Sequence, residues 1–304
     1  MRLKGNLILL LVAMIWGAAF VAQRAGMDYI GPFTYTGVRF ILGCLSLLPV
    51  LYFFRNDKKM EQSEEAPVSV RKIGSIAGVI MFFAVSFQQI GLVYTTAGKA
   101  AFITCLYIIF VPLAAVFLKQ YISKATWVGA VFAIFGLYLL CVKNSFHIEY
   151  GDGIVFIGAF IWAAHILFID HYAGSVDSIQ LAFYQFFVCA VLSNIAALLL
   201  EPISWTAIMQ AAVPILYGGI FSVGIAFTLQ IIGQRYAEPS HAAIIMSMES
   251  IFGVLAGFVF LNESMGSKEI FGCLFMMLGM LITQFDGFAD LKAKFKHYNK
   301  YNRT

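Results

Sequence analysis

A glutamate in the middle of an apolar run is the chemically most unusual residue of this chain. Glu249 lies within AEPSHAAIIMSMESIFGVLAGFVFLNES, which runs from Ala237 to Ser264. It is about seven residues, or roughly 10 Å along a helix, from Ala242. An ionisable side chain so deep in an apolar segment is costly and normally faces a protein interior or a water-filled cavity. The position predicts either a carboxyl group that binds a proton or a cation, or a structural carboxyl group held by neighbouring helices.

Arg39 is the second deep charge, and three glutamines accompany it. The guanidinium could extend to the surface, pair with a carboxylate, or hold a ligand carboxylate with two parallel hydrogen bonds. Gln88, Gln185 and Gln230 also lie in apolar runs, where an amide either bonds across helices or lines a polar path. All four residues are candidates for ligand binding.

Two tryptophans and a histidine complete the set of candidates. Trp16 and Trp162 lie in the middle of apolar runs rather than at the interfaces where tryptophan gathers. Inward-facing indoles would suit an apolar or aromatic ligand, and simple packing is the alternative. His165 follows Trp162 by three residues and could titrate near neutral pH. It is a candidate coupling residue, with an ordinary hydrogen-bonded histidine as the alternative.

Other kinds of chemistry have little support. Lys99 in TAGKAAF lacks the earlier glycine and the following hydroxyl of a phosphate-binding loop, and it is expected to cap an outer mouth. There is no Cys-x-x-Cys pair, no histidine cluster and no cluster of Asp, His, Ser or Cys typical of an enzyme. No metal or cofactor is expected. The cysteines are predicted to be small buried side chains: Cys44, Cys105, Cys141, Cys189 and Cys273.

The elements that must position these residues are membrane-spanning helices. Of the 304 residues, 61% are hydrophobic and 12% charged, and the mean hydropathy is +0.85. A spanning helix needs about 20 apolar residues. The apolar runs are 6–22, 34–54, 73–93, 100–118, 126–142, 153–169, 179–200, 211–232, 242–261 and 270–285. They predict an all-α membrane protein with ten transmembrane helices, in which the N-terminal run is a retained helix rather than a signal peptide.

The basic residues predict the orientation. The polar segments assigned to the cytoplasm, which include Arg55 to Lys72 and the tail from residue 288, carry most of the lysines and arginines. The segments assigned to the outside carry only Arg24, Lys99, Lys143 and Lys268. The positive-inside rule therefore predicts that both termini are cytoplasmic. The net charge of +4 is explained by topology, and no nucleic-acid partner is expected.

The chain also contains a duplication. Trp16 aligns with Trp162 at an offset of 162 − 16 = 146 residues, and Gln88 aligns with Gln230 at 230 − 88 = 142. At the latter offset the partner of Glu249 is Tyr107, a further candidate for the binding site. We predict two five-helix repeats, residues 1–145 and 146–287, and a basic tail, residues 288–304. Because five is odd, the repeats should be inverted in the membrane around a central cavity.

Four segments resemble a known family. MIWGAAFVAQR, VRF, TTAGKAAFITCLYIIFVPLAAVF and SMESIFGVLAGFVFLNE are similar to the EamA-type transporters of the drug/metabolite transporter superfamily. The resemblance implies a secondary carrier in the inner or plasma membrane that exports amino acids or related metabolites. Gly253, Gly257 and Glu263 of the family pattern are present. The chain departs from it at Ile108 and Ser250, where the family commonly has proline.

Several alternatives stay open. The carrier could import amines or nucleotide-linked sugars, or the chain could be a membrane-embedded enzyme or a non-transporting component. Proton coupling is one option, and both a monomer and a homodimer are compatible with the sequence. The expected partners are a small-molecule substrate and the lipid bilayer. The basic tail either touches anionic headgroups or serves only as a topology signal.

Overall fold

The computed structural model describes residues 2–53, 69–95, 97–119, 122–141, 149–261, 266–268 and 270–283. Within these ranges the chain is all-helical and has no β-strand. The described part contains eight helical segments that are long and apolar enough to cross a membrane, and two shorter apolar helices, Lys124–Leu139 and Ile270–Thr283. The basic tail predicted over residues 288–304 lies outside the described residues.

Within the described residues, helix occupies all ten apolar runs, either as one helix or in pieces. The elements are α1 (Arg2–Gly26), α2 (Pro32–Phe53), α3 (Val70–Tyr94), α4 (Ala97–Thr104), α5 (Tyr107–Phe117), α6 (Lys124–Cys141), α7 (Tyr150–Ala173), α8 (Ser178–Leu200), α9 (Trp205–Gln210), α10 (Ala212–Leu216), a π-helical segment (Tyr217–Phe227), α11 (Thr228–Gln234), α12 (Pro239–Met246), α13 (Glu249–Leu261) and α14 (Ile270–Thr283). Helices satisfy every backbone group internally, as a lipid environment requires.

Small residues allow the helices to approach closely, while large apolar side chains cover the outside. Leu7, Leu198 and Phe271 are among the exposed apolar residues. At the contact of α1 with α13, a Cβ atom added to Gly17 would lie only 2.5 Å from the backbone carbonyl oxygen of Glu249. Helix association in membranes depends on such close packing, because lipid is as apolar as the side chains.

Two spans expected to be continuous are interrupted. The run 100–118 breaks at Cys105 and Leu106, and the run 242–261 breaks at Ser247 and Met248. The backbone N–H groups of Ile108 and Ser250 donate to the carbonyl oxygens three residues back, of Cys105 and Ser247, so both breaks are tight turns. Since 247 − 105 = 142, the breaks occupy equivalent positions of the duplication. Glu249 is therefore the first residue of a half-helix and not the middle of a full one.

The packing of the helices repeats between the two halves. Helix α3 of the first half packs along α7 and α8 of the second half. Correspondingly, the span of the second half that contains the π-helical segment and α11 packs along α1 and α2 of the first half. The broken span α4–α5 contacts α7, and the broken span α12–α13 contacts α1. Helices α2 and α8 pack against each other in the centre. These contacts of the first half thus have counterparts in the second half.

Polar contacts join the halves at the helix ends. Glu201, after α8, accepts from the backbone N–H groups of Phe33 and Thr34, at 2.8 Å each, and from the Thr34 hydroxyl at 2.7 Å. It thereby caps the start of α2. Lys99, expected to cap an outer mouth, forms an ion pair with Glu149 at 3.0 Å. Both contacts join segments that the charge distribution predicts to lie on the outer side.

Candidate functional site

A cavity that is partly open to solvent lies between the two halves of the bundle. The residues around it are Trp16, Phe20, Gln23, Arg39, Val85, Gln88, Thr104, Tyr107, Trp162, Ile166, Ser222, Phe227, Gln230, Met246 and Glu249. They come from both halves and include most of the side chains selected from the sequence.

Glu249 enters the cavity from the start of α13 and is only 3% exposed. Its Oε1 accepts from the Tyr107 hydroxyl at 3.1 Å and lies 3.3 Å from Sγ of Cys105. No hydrogen bond to Oε2 is found within the described part of the chain. The carboxyl group is thus held by two side chains of the first half of the chain. A carboxyl group in this position can accept hydrogen bonds or pair with a cation.

Arg39, in the second turn of α2, lies in the cavity wall and is only 2% exposed. Its guanidinium lies over the rings of Tyr35 and Phe40, at 5.3 and 5.4 Å from their centroids. Among the described residues it has no ion-pair partner, and its Nε has no hydrogen-bond partner. Neither extension to the surface nor pairing with a carboxylate is therefore observed. A buried donor without a partner is costly, so an anionic ligand would stabilise this arrangement.

A line of polar groups crosses the cavity wall. The Trp162 indole N–H donates to Oε1 of Gln88 at 2.8 Å, and Nε2 of Gln88 donates to Oε1 of Gln23 at 3.2 Å. Oε1 of Gln230 and Oγ1 of Thr104 are buried and have no partner in the described structure. Buried polar atoms are normally satisfied, so these two are available to a ligand or to water.

Sequence reasoning missed Gln23. It follows Trp16 and Phe20 by seven and three residues, which places all three on one face of α1. This helical spacing was the signal that could have identified it. The apolar run before Gln23 was expected to end at residue 22, whereas α1 continues to Gly26.

Aromatic rings form the apolar part of the wall. Phe227 stacks on Trp162, with centroids 5.7 Å apart, and contacts Trp16 at 4.7 Å. The Trp16 indole N–H donates to the backbone carbonyl oxygen of Ser222 at 3.3 Å. Ser222 belongs to the π-helical segment, and such segments are frequent at functional sites. Both tryptophans thus face inward, with their N–H groups satisfied and their rings against the cavity.

Gln185 and His165 are not part of this wall. Both are fully buried, and His165 Nε2 lies 3.2 Å from Oε1 of Gln185. A Cβ atom on Gly78 of α3 would lie 2.7 Å from the Gln185 carbonyl oxygen, so this part of α8 is packed tightly against α3. The structure therefore places Gln185 outside the residues that line the cavity, and its contact with substrate stays a prediction. His165 touches the site only through an edge contact with Trp162.

Metal-binding clusters are not found among the described residues. Cys44, Cys105 and Cys189 are buried, Cys273 is partly buried, and none of these four is in a disulfide. The side chain of Cys141 lies outside the described residues. The chemistry available in the cavity is thus ionic, hydrogen-bonding and aromatic.

A multi-pass helical bundle with a cavity between its halves, lined by apolar and aromatic side chains and a few polar and charged ones, defines a membrane protein that can hold a small molecule. Comparison with known proteins identifies the family. The model of the EamA-like transporter family matches residues 3–142 and 149–285, and the chain belongs to that family. It is therefore a membrane transporter of a small molecule and not an enzyme.

Individual relatives agree with this assignment. The chain is 31% identical to an uncharacterized transporter from Archaeoglobus fulgidus, over 93% of this chain and 86% of the relative. It is 24% identical to a probable amino-acid metabolite efflux pump from Salmonella typhimurium, over 94% and 96% of the two chains. A solved crystal structure superposes with a TM-score of 0.76 at 19% identity, covering 94% of this chain and 98% of the other, and supports the fold.

Proposed function

We propose that this transporter is a secondary active exporter of an amino acid or a closely related zwitterion. One observation carries the proposal: Arg39 and Glu249 share one cavity, and neither has an oppositely charged partner among the described residues. A zwitterion brings both missing counter-charges, a carboxylate for Arg39 and an ammonium group for Glu249. The rings of Trp16, Trp162 and Phe227 then receive its side chain.

The charges of Arg39 and Glu249 match a zwitterion better than they match an amine or a nucleotide-linked sugar. A simple amine would satisfy Glu249 but leave the buried guanidinium of Arg39 unpaired, which is costly. A nucleotide-linked sugar carries two phosphate charges, while Arg39 is the single basic side chain in the described wall and Glu249 would repel the phosphates. The Salmonella typhimurium relative is named as an amino-acid metabolite efflux pump, which favours export of an amino-acid metabolite.

The mechanism we propose is alternating access by two inverted five-helix repeats. The family model matches two consecutive segments, 3–142 and 149–285, close to the repeats 1–145 and 146–287. The corresponding contacts of the two halves and the two breaks at equivalent positions support this symmetry. Half-helices that begin at the centre are a feature of such carriers, because their N-termini and freed backbone groups serve the substrate site.

The same proposal assigns coupling to Glu249. A carboxyl group that is neutral in one orientation and charged in the other carries a proton with each cycle. Moving one charge through the membrane potential corresponds to about 2.3 kcal/mol per 100 mV. His165, which contacts Trp162 and lies within hydrogen-bond distance of Gln185, is the candidate for a second coupling residue. We place the protein in the plasma membrane with both termini in the cytoplasm; monomer and homodimer both fit the proposal.

The test is a thermal-stability screen of the purified protein with amino acids, amines and nucleotide-linked sugars. A ligand at 100 times its Kd stabilises the folded state by about 2.7 kcal/mol. We expect zwitterionic amino acids with large apolar side chains to raise Tm and the same compounds to be carried into liposomes. Arg39→Gln should abolish the stabilisation.

Arg71→Gln is the matched control, because Arg71 is an exposed arginine that donates to the Tyr184 hydroxyl at 3.1 Å, outside the cavity. This variant should bind amino acids as the wild type does. Stabilisation by amines but not by amino acids would contradict the proposal, as would unchanged binding by Arg39→Gln.

A further inference from the structure

The two helix breaks meet at the centre of the bundle through one thiol. Sγ of Cys105, in the break between α4 and α5, lies 3.3 Å from Oε1 of Glu249 and 3.1 Å from Oγ of Ser250. It also lies 3.8 Å from the backbone carbonyl oxygen of Ser247. Cys105 is fully buried. A single side chain of the first half thus contacts three groups in and directly after the break of the second half.

We propose that Cys105 is a positioning residue that holds Glu249 toward the cavity in its charged form. This role rests on the transport function proposed above. A thiol has one proton to donate, and here three acceptors are within reach. When Glu249 is charged, the thiol donates to its carboxylate; when Glu249 is protonated, the thiol donates to the Ser247 carbonyl or the Ser250 hydroxyl. The thiol therefore changes partner as the carboxyl group changes charge.

The residue at position 250 makes this contact possible. Ser250 stands where the family resemblance leads one to expect proline. A proline there would lack the N–H that donates to the Ser247 carbonyl oxygen at 3.1 Å, and it would lack the hydroxyl that contacts Cys105. In this chain a backbone hydrogen bond stabilises the turn at the break, and the Cys105 thiol connects this break to the first half of the chain.

The two breaks occupy equivalent positions of the duplication but contribute different chemical groups to this contact. Cys105 aligns with Ser247, and Tyr107 aligns with Glu249, because 247 − 105 and 249 − 107 both equal 142. The first break supplies two donors, the thiol and the phenol, and the second supplies the carboxyl group that accepts from both. The arrangement contains one ionisable acid at the centre, and the charge of that acid depends on donors from the opposite half.

Among the described residues, few other ionisable groups lie near Glu249. Arg39 faces the same cavity from α2, and Cys105 and Tyr107 contact the carboxyl group directly. Helix α1 carries its ionisable side chains in its first and last turns. On α6, which also packs against α13, the ring of Tyr138 lies 5.9 Å from the Lys268 amine. In the described structure, the thiol and the phenol are thus the two side chains that donate to the Glu249 carboxyl group.

The experiment is an infrared titration of the protein in lipid. The band of the protonated Glu249 carboxyl group is identified by its absence from Glu249→Gln, and its intensity is followed against pH. Loss of a donor to a carboxylate favours the protonated form, so Cys105→Ala and Cys105→Val should move the midpoint to higher pH by about half a unit to one unit. Cys105→Ser restores a donor and should return the midpoint to that of the wild type.

Cys44→Ala is the matched control, because it removes another buried thiol that has no contact with Glu249 among the described bonds. It should leave the midpoint unchanged. An unchanged midpoint in both apolar variants, a shift in Cys105→Ser equal to theirs, or an equal shift in the control would each overturn the proposal. The titration needs no substrate, so absence of amino-acid flux would refute the transport proposal without affecting this result.

Discussion

Replacement of Glu249 by glutamine separates binding from energy coupling. Oε1 of Glu249 accepts from Tyr107 and faces the Cys105 thiol, and an amide oxygen can accept the same bonds. The amide nitrogen replaces Oε2, for which the described structure contains no hydrogen bond. The change is therefore nearly isosteric, and we expect the free energy of unfolding to change by less than about 1 kcal/mol.

The effects on transport should be much larger. Loss of a charged partner for the substrate ammonium group costs about 1.5–3 kcal/mol, which corresponds to roughly 10- to 100-fold weaker binding. One proton exchanged per substrate allows about tenfold accumulation per pH unit, because each unit corresponds to 1.36 kcal/mol. Glutamine cannot ionise, so Glu249→Gln should exchange substrate at saturating concentration but should not accumulate it above the external concentration.

Both quantities can be measured in liposomes, as labelled substrate exchange at equal pH and as accumulation under an imposed pH gradient. Glu201→Gln is the matched control, since Glu201 caps α2 outside the cavity. It should lower the stability by about 1–2 kcal/mol and leave accumulation intact. Accumulation by Glu249→Gln at the wild-type ratio would refute the coupling role.

Three further predictions concern packing, access and topology. Gly17→Ala should destabilise the fold by about 1–3 kcal/mol, because the added methyl group would meet the α13 backbone. Gly153→Ala should not destabilise it, because no atom lies within 4 Å of the added methyl group. Thermal unfolding in detergent compares the two variants. Bulky thiol labels on cysteines introduced at Trp16, Gln88, Trp162 or Gln230 should block flux, and substrate should slow the labelling; full transport after complete labelling would show that these positions face elsewhere. Cysteines at Ser63 and Asp28 should react with impermeant reagents from the cytoplasmic and the outer side respectively, and reaction from one common side would contradict the inverted arrangement.

Much of the architecture follows from the sequence. Apolar runs of membrane-spanning length predict helices, because a backbone in lipid must satisfy its own hydrogen bonds. In the described part of the chain each of the ten runs forms helix, two of them with a break, and the family assignment confirms a transporter. Residue type and depth were also enough to select Trp16, Arg39 and Glu249, which line the cavity. The inverted ten-helix topology, the repeat boundaries and the roles of the site residues stay predictions.

The tertiary structure decided which polar groups meet. Hydropathy does not distinguish a lipid-facing helix surface from a buried one, because both are apolar. The sequence therefore could not show that Gln23 joins the cavity or that Gln185 is packed against α3 instead. The helix breaks were hidden for a related reason. Neither contains a proline, and the break beside Glu249 is held by contacts with Cys105 and Tyr107, which lie more than a hundred residues away in the chain and become neighbours only when the two halves pack together.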